Sequence, residues 1–573
     1  MIKKFPLCHK TREVKLSTVS GVASTKPSLI KFFDTLVPSV DIITTKSFQV
    51  KPNSGNREPI ITEDNLGTWG NSVGLRNPGM DEAVKEIKYL RKERLNKWLN
   101  ISLSADNEDD FITLVNAFSP YADSVELNFS CPHAKKGFGA SIGSDINIAS
   151  SYTKKINEAT KNRECLLFIK LTPNVPNIGE IAKAVVSNGA DGIVAINTVG
   201  PVDHIDKVSG KPILQNQIGG KGGQSGDDIF PIALNAVREI RKSIPDDIPL
   251  IAMGGVSDGE RAALLIESGA DAIGIGSALG RVKQENWKEY FKRIKKEAES
   301  ILKGEKVELT SRELLRKHKV TEYEEHTVKE IKMHTEDTML LILDGEVSNF
   351  KVGEFVFLWI PGVGEKPFSL AISSPLTFII KRRGIFTSHL FSSLKEGDKI
   401  YIRGPYGDEA ESVKSKKAII IVGGTGEAVA VPLSEKLKKD GVKMSFLVGT
   451  SLNGNRGILE NTLREKGNYK CISDDGKIGR VLDYIEDEIN SSLDSTTALS
   501  DIAFYLVGPE IFMKNGAIKL RNLGVKPEMI LLSMERNTMC GVGLCGECVC
   551  GHTLMCQHGT FFTLSRLLEE GAL

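Results

Sequence analysis

The cysteines near the end of the sequence have a spacing that can bind metal. Five of the nine cysteines lie between Cys540 and Cys556. Four of them, Cys540, Cys545, Cys548 and Cys556, form the pattern C-x4-C-x2-C-x7-C. The first three have the spacing of plant-type [2Fe–2S] sites, whereas zinc sites, the alternative, more often combine two C-x2-C pairs. The pattern therefore favours an iron–sulfur cluster, with Cys550 as a non-ligand.

Polar residues that can bind a small molecule follow several apolar runs in the first half of the sequence. They are Lys46, Asn128, Cys131, His133, Lys170, Asn197 and Thr198. No acidic residue follows these runs to complete a catalytic triad. Because a carboxamide offers a donor and an acceptor together, the set suits a flat heterocycle with imide N–H and C=O groups. Taken singly, Cys131 also fits a small core residue and His133 an ordinary loop residue.

Eight short apolar runs separated by amphipathic stretches must position these residues. Continuous apolar strands alternating with helices such as Ile178–Ser187 and Gly259–Glu267 indicate a parallel sheet covered by helices, here a TIM (β/α)8 barrel. The gap between the second and third runs is long enough for an inserted hairpin. The runs are Val14–Val22, Asp41–Thr45, Trp98–Leu103, Ser124–Phe129, Leu166–Leu171, Gly192–Asn197, Leu250–Met253 and Ala272–Ile275.

Glycine-rich turns come after the last of these strands. They contain Gly226, Gly254, Gly255, Gly276 and Ser277. In a TIM barrel the loops after strands seven and eight commonly bind phosphate through backbone N–H groups. The turns therefore predict a phosphate-bearing cofactor such as FMN, and a lysine beside its ring would stabilise the anionic reduced form.

The second half of the sequence has a different pattern. A highly charged segment leads into short strands with turns, typical of a small antiparallel barrel, and then into alternating strands and helices, typical of a nucleotide-binding α/β domain. We predict an FMN-binding barrel at 1–305, a linker at 306–319, a small antiparallel β-barrel at 320–412, a nucleotide-binding α/β domain at 413–530 and a [2Fe–2S] domain at 531–573.

Charge and hydropathy narrow the classes of partner. The chain has 573 residues, 74 Lys and Arg against 73 Asp and Glu, and a formal charge of +1. This balance provides no global basic field for nucleic acid or an anionic membrane. No apolar stretch approaches the roughly 20 residues of a membrane span, and the first residues lack a signal peptide's apolar core. A cytoplasmic protein with a small-molecule substrate is expected.

The strings ITTKS, NSVGLRNPG, ELNFSCPHAKKG, KLTPN, INTVG, GGQSG, MGGVSD and GIGSA occur in this order in the first half. Together they resemble the class 1 FMN-dependent dihydroorotate dehydrogenases. The resemblance implies Cys131 as the general base that removes the C5 proton while hydride leaves C6, and a homodimer formed through the barrel. It implies substrate contacts from Lys46, Asn71, Gly74, Leu75, Asn128, His133, Asn197 and Thr198, and FMN contacts from Lys46, Asn128, Lys170 and the glycine-rich turns.

His133 departs from this family pattern, which usually has Asn after Ser-Cys-Pro. The string Ser-Cys-Pro-His looks like the pyrimidine-reducing domain of dihydropyrimidine dehydrogenase. A uracil- or thymine-reducing enzyme is therefore an alternative, and so is an electron-transfer flavoprotein whose barrel no longer turns over a pyrimidine.

Motifs in the second half resemble those of the ferredoxin-reductase superfamily. The resemblance implies FAD contacts from Lys366, Pro367, Phe368, Ser369, Thr387 and Ser388, and NAD contacts from Gly423, Gly424 and Gly426. The NAD signal lacks its third glycine, since Val429 stands there, so a structural turn is the alternative. As a whole, residues 318–573 resemble the electron-transfer subunit of class 1B dihydroorotate dehydrogenase, here fused to the catalytic part.

Combined, these features predict an NAD-dependent dihydroorotate dehydrogenase of pyrimidine biosynthesis. Electrons would pass from dihydroorotate to FMN, then singly through a [2Fe–2S] cluster to FAD, and as hydride to NAD.

Overall fold

The first half of the chain folds as the apolar runs predict. The computed structural model describes residues 3–129, 142–450, 457–473 and 480–573. The strands of this half are β1 (Leu16–Ser17), β2 (Val40–Thr44), β3 (Ile61–Asn65), β4 (Thr68–Asn71), β5 (Trp98–Leu103), β6 (Ser124–Asn128), β7 (Leu166–Lys170), β8 (Gly192–Ala195), β9 (Val199–Asp203), β10 (Lys221–Gly226), β11 (Leu250–Met253) and β12 (Ala272–Gly274). The helices are α1 (Cys8–Thr11), α2 (Pro27–Leu36), α3 (Met80–Lys92), α4 (Glu108–Phe118), α5 (Ile146–Ala159), α6 (Ile178–Ser187), α7 (Phe230–Ser243), α8 (Gly259–Glu267) and α9 (Trp287–Leu302).

Eight of these strands close into a barrel in the order β1-β12-β11-β8-β7-β6-β5-β2, and all neighbours are parallel. Every predicted run overlaps one barrel strand, so the predicted TIM barrel is confirmed. The strands are buried on both faces and mostly apolar: Leu167, Phe168 and Ile169 are all fully buried. The chemistry-bearing positions therefore fall at the carboxyl ends of the strands, where the sequence placed them.

A four-stranded antiparallel sheet, in the order β3-β4-β10-β9, is inserted between barrel strands. The hairpin β3-β4 fills the long gap between β2 and β5, as anticipated. Strands β9 and β10 were not predicted. Pairing of β4 with β10 sets Asn71 opposite Gly223, and thereby holds the predicted substrate residue Asn71 on a defined edge.

The chain divides into two units that are not continuous in sequence. The first comprises Met1–Thr321 and Val542–Glu547, and the second comprises Glu322–Gly541 and Cys548–Leu573. A six-residue piece of the cysteine-rich tail thus belongs to the barrel unit.

The second unit contains two large sheets and a hairpin. A seven-stranded antiparallel sheet has the order β16-β15-β19-β13-β14-β18-β17, and a six-stranded sheet, parallel except for its last strand, has the order β22-β21-β20-β23-β24-β27. These sheets agree with the predicted small barrel and α/β domain. The strands are β13 (Glu324–Thr335), β14 (Thr338–Leu343), β15 (Phe355–Ile360), β16 (Gly364–Phe368), β17 (Ile372–Ser373), β18 (Leu376–Lys381), β19 (Lys399–Tyr406), β20 (Lys417–Gly423), β21 (Lys443–Thr450), β22 (Asn468–Ser473), β23 (Ile502–Val507), β24 (Ile530–Ser533), β25 (Val549–Cys550), β26 (Thr553–Leu554) and β27 (Phe561–Thr563). The helices are α10 (Ile385–Ser393), α11 (Glu427–Lys439), α12 (Glu460–Arg464), α13 (Ile485–Ser492), α14 (Glu510–Asn522), α15 (Met555–His558) and α16 (Leu564–Glu569).

Candidate active site at the barrel mouth

A cavity of about 220 Å³ lies in the barrel unit at the carboxyl ends of the strands. Twelve of the residues predicted from the sequence line it. Gly226 does not line it, and Cys131 and His133 lie outside the described residues. The twelve are Lys46, Asn71, Gly74, Leu75, Asn128, Lys170, Asn197, Thr198, Gly254, Gly255, Gly276 and Ser277.

Both lysines of the cavity have a carboxylate partner, and neither pairing was predicted from the sequence. Lys170 Nζ lies 3.4 Å from Glu126 Oε1, and Lys46 Nζ lies 3.4 Å from Glu547 Oε1. Neither carboxylate follows a strand end: Glu126 lies within β6 and Glu547 lies in the tail. The position of Glu126 could have been predicted from the sequence, because it is two residues before Asn128 on the same strand and so shares its face. The contact of Glu547 could not have been predicted in this way, since it is 501 residues away from Lys46.

The Glu126 carboxylate is buried but well supplied with donors. Asn100 Nδ2 donates to it at 3.0 Å and the Ser102 hydroxyl at 3.2 Å. Its side chain has no exposed surface, and a buried charge of this kind is tolerated only when paired and hydrogen-bonded. Glu126 therefore fixes the position of Lys170 at the mouth.

Hydrogen bonds connect the amide side chains of the cavity into a chain. Asn197 Nδ2 donates to Asn128 Oδ1 at 3.4 Å, and Asn128 Nδ2 donates to Ser47 Oγ at 3.3 Å. Ser47 Oγ is 2.9 Å from Ser102 Oγ, which in turn donates to Glu126. The chain orients both carboxamides before any ligand binds.

The Thr198 hydroxyl is buried and has no hydrogen-bond partner within the described part of the chain. A buried polar group without a partner is energetically costly, so such groups in native proteins call for a specific explanation. Because Thr198 lines the cavity, a polar ligand atom bound there can supply the missing partner.

The glycine turns bring bare backbone to one side of the cavity. Gly254 and Gly255 have φ of 127° and 73°, a conformation that favours glycine. A Cβ on Gly255 would lie 2.6 Å from the carbonyl oxygen of Gly226, and one on Gly276 would lie 2.6 Å from Val19. Side chains are thus excluded from these turns, and their N–H groups can face an anionic group such as a phosphate.

The tail segment Val542–Glu547 is anchored at the cavity. The Ala23 N–H donates to Leu544 O at 2.9 Å, and the Thr25 hydroxyl donates to Cys545 O at 3.0 Å. Leu544, Cys545 and Glu547 all line the cavity. A segment more than 500 residues from the first strands therefore completes the mouth.

Burial and charge at this segment shift two pKa values. Burial lowers the pKa of Lys46 below its ordinary value, although Glu547 opposes the shift. Burial alone would raise the pKa of Glu547, but the ammonium groups of Lys46 and Lys26 outweigh it and lower that pKa. The carboxylate is thus held in its charged form.

In the second unit, the two motifs predicted to bind FAD lie side by side. Lys366, Pro367 and Phe368 end β16 and Ser369 follows, while Thr387 and Ser388 are in the first turn of α10. The rings of Phe368 and Phe386 are 6.3 Å apart. The Thr387 hydroxyl accepts from the N–H groups of Arg383 and Gly384 at 2.9 and 3.1 Å, so it serves the start of its own helix.

The glycines of the NAD motif lie where a strand meets a helix. Gly423 ends β20, and Gly424 and Gly426 precede α11. Glu427, the first residue of α11, is buried, and its carboxylate accepts the N–H groups of Ile458 and Leu459 at 2.9 and 2.7 Å. Burial raises the pKa of Glu427. The Glu427 carboxylate is therefore engaged by backbone N–H groups of the protein itself.

Three of the four predicted cluster cysteines meet in the second unit. Cys556 contacts the side chains of Cys540 and Cys548, and these contacts together with burial raise its pKa. Among the described residues, no three His, Cys, Asp or Glu side chains are arranged to hold a metal ion. A [2Fe–2S] cluster is bound by four cysteines shared between two irons. Three of its ligands therefore do not have to surround a single metal ion.

Comparison with known proteins identifies the barrel. A family model described as "Dihydroorotate dehydrogenase" matches residues 13–302. The chain belongs to the dihydroorotate dehydrogenase family. The prediction of this oxidoreductase family from the sequence strings is confirmed.

Three curated relatives each match less than half of this chain. A protein of Methanocaldococcus jannaschii named "Dihydroorotate dehydrogenase B (NAD(+)), catalytic subunit" is 39% identical over 47% of this chain and 83% of its own length. Proteins of the same name from Methanothermobacter thermautotrophicus and Staphylococcus carnosus are each 36% identical, over 41% and 45% of this chain and 74% and 81% of their own.

A solved structure, "Crystal structure of DHODH in complex with ferulenol from Eimeria tenella", has a TM-score of 0.42 and 19% identity, covering 50% of this chain and 81% of that one. This similarity is too low to carry functional information. In the described part of the chain, no helix combines the length and apolar character needed to cross a membrane.

Proposed function

We propose that this chain is an NAD-dependent dihydroorotate dehydrogenase of pyrimidine biosynthesis, with its electron-transfer part fused to its catalytic barrel. The observation that carries the proposal is the cavity at the barrel mouth. It joins two lysines, three asparagines and side-chain-free glycine turns in a member of the dihydroorotate dehydrogenase family. This donor set suits a flat pyrimidine beside a phosphate-bearing flavin.

The residues of the cavity fit FMN. Gly254, Gly255, Gly276 and Ser277 would hold the phosphate, because their backbone is open to an anion. Lys46 and Lys170 would lie at the ring. FMN supplies a hydride acceptor when bound, and the lysines favour the negative charge that its reduced ring carries.

The chain's own side chains would bind and deprotonate the pyrimidine. Asn71, Asn128, Asn197 and Thr198 would pair with its imide and carbonyl groups. Cys131, which follows β6 on the chain, would remove the C5 proton. A thiol with an ordinary pKa of about 8.5 can do so near neutral pH if neighbouring cations lower that pKa.

The residues that follow the barrel in the sequence would carry electrons onward. Cys540, Cys545, Cys548 and Cys556 would hold a [2Fe–2S] cluster, which their spacing favours. The motifs around Phe368 and Thr387 would hold FAD, and the turn at Gly423 would hold NAD. Fusion keeps donor and acceptor at a high effective concentration. A homodimer formed through the barrel is part of the proposal and is tested by the mass in solution.

Exchange of Cys131 tests the proposed base. A Cys131→Ser enzyme should keep its flavins, because nothing else at the cavity changes, but lose most dihydroorotate oxidation at neutral pH, because a hydroxyl is a far weaker acid than a thiol. Anaerobic bleaching of FMN by dihydroorotate, followed by flavin absorbance, measures this step. Unchanged turnover would remove Cys131 from the mechanism.

Because His133 departs from the family pattern, uracil- and thymine-type substrates are tested as well. Dihydrouracil and dihydrothymine should bleach FMN much more slowly than dihydroorotate. Faster bleaching by either would assign the chain to uracil or thymine metabolism. If no dihydropyrimidine bleaches the flavin, the barrel is a relay without substrate turnover.

A further inference from the structure

Glu547 holds an unusual place at the proposed FMN site. Its Oε1 lies 3.4 Å from Lys46 Nζ and its Oε2 lies 3.1 Å from Lys26 Nζ. The side chains of Glu547 and Lys46 are each only 9% exposed. The carboxylate therefore bridges two ammonium groups. Water screens its contact with Lys46 little, whereas Lys26 is 38% exposed and its contact is screened more.

The backbone around Glu547 fixes the position of this carboxylate. The segment is bound on its amino-terminal side by Ala23 and Thr25 through the hydrogen bonds to Leu544 and Cys545. Gly546 has φ of 70°, and a Cβ there would lie 2.2 Å from the Thr25 hydroxyl. A close approach of backbone to the barrel thus brings Glu547 to Lys46.

The two lysines of the cavity are balanced separately. Glu126 pairs with Lys170 from within the barrel, whereas Glu547 pairs with Lys46 from the cysteine-rich tail. Loss of Glu547 would leave Lys46 and Lys26 without this shared anion. The electrostatic field at the flavin would then become more positive.

We propose that Glu547 is a positioning residue that holds Lys46 and lowers the reduction potential of FMN, so that electrons leave the flavin readily. This inference rests on the proposed function. The anion partly cancels the attraction between Lys46 and the reduced ring, which is the form that carries extra negative charge. Glu547, which would tune the potential of FMN as the electron donor, thus lies between Cys545 and Cys548. These two cysteines are proposed ligands of the cluster that would accept the electrons.

The test measures the FMN potential in the full-length holoenzyme by spectroelectrochemical titration. Glu547→Gln removes the charge and keeps the shape, so the equilibrium for two-electron reduction of FMN should shift about tenfold toward the reduced form, which is about 30 mV. Glu547→Asp keeps the charge and should stay close to wild type. Glu569→Gln, an exposed carboxylate of the same tail, is the matched control and should leave the potential unchanged.

Lys26→Gln tests the same bridge from its more exposed side. Loss of this cation leaves the Glu547 charge less compensated, so the potential should fall. Unchanged potentials in both Glu547→Gln and Lys26→Gln, with full FMN content, would overturn the role of Glu547 alone. A wild-type protein that binds no FMN would overturn the proposed function and this inference with it.

Discussion

At the scale of single residues, Thr198 is the most direct test of ligand binding. Its hydroxyl is buried in the cavity wall without a partner in the described structure. Thr198→Val should not lower thermal stability, because the hydroxyl makes no hydrogen bond within the described residues and its burial without a partner is costly. It should lower kcat/KM for dihydroorotate roughly 2- to 13-fold, the worth of one neutral hydrogen bond of about 0.5–1.5 kcal/mol.

Thr68 provides the control for that variant. Its hydroxyl is likewise buried without a partner among the described residues, but it does not line the cavity. Thr68→Val should therefore leave kcat/KM as in wild type. Equal losses of kcat/KM in both variants would show that the effect is not due to a contact with substrate.

The sequence could predict residues whose position depends on one strand, but not residues brought in from afar. Asn128 and Lys170 end strands β6 and β7, so their place at the mouth follows from the barrel alone. Glu126 could have been found from the alternation of side chains along β6. Glu547 could not, because only the folded tail brings it to Lys46.

At the scale of elements, a buried ion pair joins two strands of the antiparallel sheet. Arg403 on β19 makes two hydrogen bonds to the Glu365 carboxylate on β16, both 2.6 Å long. The guanidinium lies 4.0 Å from the ring of Phe357 on β15 and donates to Cys540 O at 3.1 Å. The pair thus connects the strand of the proposed FAD motif to a proposed cluster ligand.

Removal of one member of this pair should be severe. Arg403→Met leaves the Glu365 charge buried, which typically costs about 3–5 kcal/mol. At roughly 2–4 °C per kcal/mol for a unit of this size, calorimetry should show a clearly lowered melting transition. Lys332→Met breaks an exposed pair with Glu330 and should lower the stability by less than about 1 kcal/mol. Similar shifts in both would contradict the structural role of the buried pair.

The strands that could not be predicted from the sequence share one physical reason. Strands β9 and β10 read VGPVD and KGGQSG, which are rich in glycine and lack the alternation that marks a strand. They form because β4 offers an edge for pairing, a tertiary condition. The barrel strands are buried on both faces and mostly apolar, and their apolar runs predicted them for that reason.

At the scale of the whole molecule, the proposed electron path can be cut at the cluster. Removal of iron under anaerobic conditions should leave the FMN step intact, since Cys131, Lys46 and the asparagines belong to the barrel unit. Dihydroorotate should still bleach FMN and reduce an artificial dye, while formation of NADH should fall by more than about tenfold. An iron-free enzyme that still forms NADH at the normal rate would contradict a route through the cluster.

The discontinuity of the barrel unit also has a consequence for biosynthesis. The contacts that complete the mouth span 520 residues, from Thr25 to Cys545. Such long-range contacts form late, because all the residues between Thr25 and Cys545 must be made before the tail segment is available. A nascent barrel can therefore close its sheet early but gains its finished mouth only after this later segment has been synthesised.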